Sequence, residues 1–335
     1  MRLQQPLFMA VTTAALLSHG LHALPARAQN LAERLSAYTG RNAHGYFGPL
    51  VDGFAADLTA GLFHRAYVPE SGLNVSLELR GMRVYFGEDR DWFTATTEEY
   101  FSPETQAKAP TVVGPSELVI VPGDSGTQYA FPPGFDIRSL STVVPQLRIG
   151  SIYGTEALIR YAFLDQGSAF LGDLTLDLYG AGARHSVSQY FSEFPVDLAV
   201  SFFYQHFGMR EQGKDGDLVT LQTFTFGVQA GRTYVEPFAG LPIDLEPYAG
   251  LALDRIYFDA QYETDPGDRV ELHFPGDNVG RLTLGLTLKV PFISVNGEYD
   301  VMGDRHDLVR QSAFSIGVAA EFGRPSPSTV THSKR

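Results

Sequence analysis

"SAFSIGVAAEFG", residues 312–323, places Phe314, Ile316, Val318, Ala320 and Phe322 at every second position. Successive side chains of a β-strand point to opposite faces, so these five form one apolar stripe, with Ser315, Gly317, Ala319 and Glu321 behind it. Such a stripe faces either the inside of a soluble sandwich or the acyl chains of a membrane. The rest of the sequence decides between them.

The same period of two recurs upstream. In "RLTLGLTLKV" (281–290), Leu282, Leu284, Leu286, Leu288 and Val290 lie opposite Arg281, Thr283, Gly285, Thr287 and Lys289. Leu73, Val75, Leu77 and Leu79 alternate with Asn74, Ser76, Glu78 and Arg80, and Phe54, Ala56, Leu58, Ala60 and Leu62 also alternate. Many runs reach ten residues or more, against about five or six in soluble sheets and about 9–11 for a tilted crossing of a bilayer. Tight turns ("SIYG", "VPF") alternate with longer polar stretches ("GMREQGKDGD", "YETDPGDRVELHFPGDN", "GDRHDLVRQ"), as periplasmic turns and outer loops do in a membrane barrel. Aromatics sit near strand ends at Tyr85 and Phe86, Tyr190 and Phe191, Tyr257 and Phe258, Phe292 and Phe322, where interfacial girdles form.

The expected fold is therefore all-β, an antiparallel transmembrane β-barrel with a short N-terminal helix or arm. Counting back from Phe322 gives nine strands to residue 141, and two more lie between residues 54 and 86. A single-chain bacterial barrel has an even count. Residues 87–140, with Pro103, Pro110, Pro115, Pro122, Pro132 and Pro133, then supply one or three, which predicts 12 strands with 14 as the alternative.

Residues 1–28 read as a secretory signal, with Arg2, an apolar run from Leu7 to Leu17, and Ala26-Arg27-Ala28 as the cleavage site. Residues 29–45 read as an arm or plug carrying Leu31, Leu35 and Tyr38 at helical spacing, 46–322 as the barrel, and 323–335 as a tail in which Pro325 and Pro327 prevent a continuing strand. The sequence holds no cysteine, hence no disulfide framework or thiolate site. Its net charge of −13 becomes −15 once Arg2 and Arg27 leave with the signal. Nucleic acid, which needs basic surface, is not an expected partner.

In bacterial outer-membrane proteins the last strand commonly ends in an aromatic that the barrel-assembly machinery recognises. The 312–323 stripe resembles that signal, with Phe314, Ile316, Val318, Ala320 and Phe322 as its residues. Here "GRPSPSTVTHSKR" follows the final aromatic. The chain also resembles an uncharacterised family of outer-membrane barrels, a domain of unknown function. The likeness rests on "PTVVGP" (110–115), "VPQLRIGSIYGTEALIRY" (144–161), "GDLTLDLYGAGARHSV" (172–187) and "FPVDLAVSFFYQHF" (194–207). That family is remotely similar to the long-chain fatty-acid transporter barrels. The resemblance implies a location in the bacterial outer membrane and a fold, and no assigned activity.

In this reading the polar strand faces line a lumen, through Glu78, Arg80, Arg148, Glu156, Arg160, Asp173, Asp177, Asp197, Glu246, Asp254, Arg281, Lys289, Glu298 and Asp300. Those charges either pair to fill the interior or border a water-filled path. No catalytic residue is expected. In "ARHSVSQY", the only stretch that invites a lipid-hydrolase reading, His185 shares a strand face with Val187 while Ser186 and Ser188 face the other way. The histidines form no HExxH, "KDGD" (214–217) and "DPGD" (265–268) lack EF-hand spacing, and no metal or cofactor is expected. "NVS" (74–76) sits in a strand and is discounted as a glycosylation site.

Three functions remain, of which a barrel lipid hydrolase using Ser186 or Ser188 is the least favoured. One is a barrel that passes or binds a small solute, a hydrophobic one included, with residues 29–45 and part of 87–140 as plug or lid. Another is a closed structural or adhesive barrel whose loops, notably 259–278, meet partners.

Overall fold

The computed structural model describes residues 38, 40–98, 101–164, 174–191, 194–211, 217–238, 241–263, 269–303 and 311–323. The expected signal, most of the arm and the tail lie outside the described residues.

The first described element is a 20-residue helix, α1 (Gly40–Thr59). This corrects the strand expected over 54–62. Ala43, Tyr46, Phe47, Val51, Ala55 and Leu58 are buried at helical spacing, but Ala56, Asp57 and Thr59 on the other side are buried too. A helix whose second half is enclosed on all sides shows no clean apolar stripe there, so its period is hidden.

β1 (Ser71–Tyr85) follows, and then an insert of four short strands: β2 (Trp92–Thr96), β3 (Gln106–Pro110), β4 (Val119–Pro122) and β5 (Gln128–Phe131). The regular strands resume with β6 (Ser139–Ile152), β7 (Thr155–Leu164), β8 (Leu174–Ser186), β9 (Asp197–Glu211), β10 (Val219–Gly231) and β11 (Tyr234–Phe238). β12 (Leu241–Glu263), β13 (Arg269–Val290), β14 (Ile293–Gly303) and β15 (Gln311–Gly323) complete the chain.

The order β10-β9-β8-β7-β6-β1-β15-β14-β13-β12 closes on itself through antiparallel pairing of β10 with β12. The barrel thus has ten strands, and neither 12 nor 14. All nine strands read downstream of residue 141 are in the ring. The discrepancy lies upstream, where 54–62 is helical and β2–β5 pair only as two separate hairpins, β2 with β3 and β4 with β5. β11 folds back on the start of β12.

The two rims differ. One carries the tight links at 152–155 and 290–293, the start of β1 and the end of β15, where Asn74 faces Gly323. Tyr153 and Gly154 take positive φ (49° and 68°), the conformation of a two-residue hairpin turn. The other rim carries the insert and an extended hairpin: β12 and β13 run 23 and 22 residues, pairing out to Glu263 and Arg269. The stretch 262–278, expected as an irregular loop, is strand at 262–263 and 269–278, its described residues.

Parity separates the faces as the sequence requires. Val200, Val228, Leu251 and Leu282 are Cα partners in turn from β9 to β10, β12 and β13, and all four are exposed on the outer wall. Leu284, Tyr299 and Phe314 continue the band in the same way. Ten residues of β7 span about 33 Å before tilt, enough for an apolar band about 25 Å tall. Tyr85, Tyr190, Phe191, Phe292 and Phe322 stand exposed at strand ends, as girdle residues would. Phe86 and Phe258, expected among them, are instead buried in the cluster around α1. No described helix is long and apolar enough to cross a membrane.

Candidate functional site

The site is the lumen. α1 enters it from the insert rim, and the wall is built to hold the helix's polar ends. At the entrance the insert forms a cap. Asn42 Nδ2 donates to the Thr96 carbonyl (2.6 Å), and the Thr96 amide donates back to Asn42 Oδ1 (3.0 Å). The Val112 amide donates to the Tyr46 carbonyl at 2.9 Å, and the Tyr46 hydroxyl to the Pro133 carbonyl at 2.9 Å. Tyr38 packs on Tyr46 and Phe93 and is fully buried, which pushes its phenol pKa up. Arg138 clasps Asp91 through both carboxylate oxygens, at 2.9 and 3.0 Å, closing the base of the cap.

Inside the ring, the last carbonyls of α1 have no helical partner and need donors. Arg160 supplies them: its guanidinium donates to Leu58 (2.8 Å), Ala60 (2.8 Å) and Gly61 (2.7 Å), while Gln205 also donates to Leu58 (3.1 Å). A cation at a helix C-terminus also complements the helix dipole. Gly61 takes φ +64°, which turns the chain out of the helix. The stretch from Leu62 to Glu70 then descends to the tight-turn rim, held by the wall throughout. Gln229 donates to the Phe63 carbonyl (2.5 Å), Thr287 to that of His64, and Glu246 accepts the amides of Ala66 (2.8 Å) and Tyr67 (3.0 Å).

Around this thread the charges pair. Glu78 lies 3.2 Å from both His64 and Arg80 and accepts from Gln146 at 2.7 Å. Arg80 reaches Glu298 (3.0 Å), Arg184 pairs with Glu156, and Arg281 with Asp254 (2.8 Å) and Asp300 (3.5 Å). Toward the tight-turn rim, Glu321 gathers Arg148 (3.4 Å), Arg65 (3.9 Å) and Lys289. Among the spaces between the described residues are one of about 20 Å³ beside Phe63 and Arg281 and one of about 30 Å³ beside Arg65 and Glu321, each room for water and little more.

The structure brings Glu78, Arg80, Arg148, Glu156, Arg160, Glu246, Asp254, Arg281, Lys289, Glu298 and Asp300 together inside the ring, all but the partly buried Lys289 deeply buried. Asp197 lies half-buried on the inner face at the tight-turn end of β9. Asp173 lies outside the described residues. Asp177 is a correction: it shares the outer face of β8 with Tyr179 and pairs there with Arg210 (2.7 Å) and His206 (3.8 Å). Arg184, Gln146, Gln205, His64, Arg65 and Glu321 are lumen residues that sequence reasoning did not nominate. Parity alone would have found Arg184, which follows Gly180 and Gly182 on the inner face of β8. Phe314, Ile316, Val318 and Phe322 are exposed on the outer face of β15, with Ala320 partly so.

The histidine and serines of "ARHSVSQY" take separate partners. His185 meets the Thr155 hydroxyl (2.7 Å) and the Tyr190 hydroxyl (3.0 Å), while Ser186 meets Ser188 (3.3 Å). Among the described residues no group of three or more histidines or carboxylates is placed to hold a metal ion.

The profile of a family of unknown function, DUF6588, matches residues 4–316. The chain belongs to this family. No curated protein matches the sequence. Among solved structures, the beta domain of the Bordetella autotransporter Brka is similar at 12% identity and a TM-score of 0.33, covering 75% of this chain and 99% of that one. The translocator domain of autotransporter NalP from Neisseria meningitidis is similar at 14% identity and TM-score 0.30, covering 84% and 99%. The outer membrane protease OmpT from Escherichia coli is similar at 8% identity and TM-score 0.29, covering 77% and 97%. These likenesses do not show a similarity to the fatty-acid transporter barrels, and the barrel of this DUF6588 member rests on its own strand pairing.

Proposed function

We propose that the protein is an integral β-barrel of the bacterial outer membrane, sealed by its own helix, that anchors the 86–138 cap and the β12–β13 hairpin at the outer surface for contact with partners. The observation that carries this reading is the occupied lumen. The C-terminal end of α1 and the segment from Ala60 to Tyr67 are bonded to the wall by Arg160, Gln205, Gln229, Thr287 and Glu246. The outer band of leucines and aromatics supplies the lipid contact, since an apolar wall around a charged interior suits hydrocarbon and not water. Export by the expected signal and recognition of β15 by the barrel-assembly machinery belong to the same reading.

Passive passage of a small solute requires α1 to leave its bonds, so the closed barrel is favoured over a pore. The test is liposome swelling with the purified protein. No swelling in small sugars and no uptake of a fatty-acid probe is expected, and sugar-dependent swelling overturns the sealed reading. Gel mobility in SDS, boiled against unboiled, checks the membrane barrel itself, because a ring without strand edges resists SDS until heated.

A further inference from the structure

Ten strands return the chain to the rim from which it started, so Ser71 and Gly323 share the tight-turn rim. Residues 38–70 add one more passage. Asn42 is bonded in the cap, Asp57 to Thr142 on β6, Leu58 to Arg160 in mid-barrel, and Tyr67 to Glu246 near the start of β12. The Glu70 carbonyl meets the Gly154 amide at the tight turn itself. Each contact lies nearer the tight-turn rim than the one before it. The total is odd, and Tyr38 stands on the opposite face from Gly323.

We propose that the barrel carries its own chain across the membrane once more between Glu70 and Tyr38, so that Tyr38 and the start of α1 stand on the loop face while Ser71 and Gly323 stand on the tight-turn face. The lumen is then a conduit for one passage of the chain as well as part of an anchor; this rests on the outer-membrane reading above. The passage is built into the wall. Arg160 and Gln205 replace helical donors that α1 lacks, and Glu246 takes two amides of an extended segment that would otherwise be buried without acceptors. Return through the same lumen is blocked, because Arg80, Arg160 and Arg184 are wholly buried around the helix and the segment that follows it. Short polar turns mark the periplasmic rim of such barrels, which places the cap and Tyr38 outside the cell.

The sequence has no cysteine, so single substitutions report cleanly. His44→Cys lies exposed on the first turns of α1, Asp89→Cys in the cap and Tyr153→Cys at a tight turn. Intact cells are treated with a membrane-impermeant maleimide. In parallel, an epitope spliced between Ser36 and Ala37 is probed with antibody, and every variant is checked for the heat-dependent shift in SDS. The expected result is labelling of His44→Cys, Asp89→Cys and the epitope in intact cells, with Tyr153→Cys labelled only after permeabilisation. Labelling of Asp89→Cys without His44→Cys or the epitope overturns the proposal and leaves the membrane barrel standing. Labelling of Tyr153→Cys in intact cells in place of Asp89→Cys reverses the sidedness and overturns it as well. A protein found in the soluble fraction without a heat shift removes the membrane reading and the proposal together. If the epitope abolishes the shift, His44→Cys alone decides.

Discussion

Arg160 on β7 caps the C-terminal end of α1, donating to the carbonyls of Leu58, Ala60 and Gly61 at 2.7–2.8 Å while its Nε donates to Gln146 at 2.8 Å. The barrel wall thereby completes the hydrogen bonding of the helix. Arg160→Met keeps much of the volume and leaves three buried carbonyls with fewer donors, at a cost of about 3 kcal/mol or more. The expected outcome is a lower temperature for the heat shift in SDS and the appearance of ion conductance in planar bilayers. Unchanged values on both measures would show that the helix is held elsewhere.

Gly61→Ala tests the turn that follows. The backbone there has φ +64°, and an added Cβ would come within 2.7 Å of Arg80 Nε. Strain at such a position costs about 1–3 kcal/mol. Equilibrium unfolding of the extracted protein in urea should show a lower midpoint, whereas Ala at Gly48, where a Cβ meets nothing within 4 Å, should not shift it by a similar amount.

Leu284 lies in the middle of the outer band and is 55% exposed. In a water-soluble barrel Leu284→Arg would be nearly neutral. Facing lipid near the midplane it costs about 2–4 kcal/mol, so the folded, heat-shiftable fraction should fall when the variant is refolded into bilayers.

Gly45→Ala addresses the cap. A Cβ on Gly45 would fall 2.3 Å from the Phe93 ring, forcing β2 away from α1. Trp92, the only tryptophan, adjoins Phe93 and reports the change. Its emission should move to longer wavelength while the heat shift of the barrel persists. A coincident loss of both would mean that cap and barrel fold as one unit.

Much of the barrel was legible because its strands obey one rule. Where lipid lies outside and charges lie inside, a period of two survives from Leu282 to Val290 and from Phe314 to Phe322. The helix was not legible, because Phe54, Ala56, Leu58, Ala60 and Leu62 happen to alternate and because the second half of α1 is enclosed on every side, so no polar face there announces its true period. The insert misled the strand count for a different reason: β2–β5 are four or five residues long and pair only with one another. Most lumen charges followed from parity. Asp177 did not, since Leu176 and Leu178 read as an outward apolar face yet share the inner face of β8 with Arg184, where Leu178 packs in the cluster around α1. Arg65 and His64 were hidden because they ride on the inner thread, outside any strand.

The seam of the ring joins β1 to β15 from Asn74–Gly323 to Val84–Ala313, so the first and last strands must find each other before the cylinder exists. α1 is tied to β1 by residues 60–70 alone, which makes it the immediate neighbour of that seam. A cylinder stitched shut around an empty bore would enclose Arg160, Gln205 and Glu246 without the backbone groups they serve. Seating the helix and drawing the seam closed are therefore two halves of one event, as a cask takes its last stave with the bung already in place.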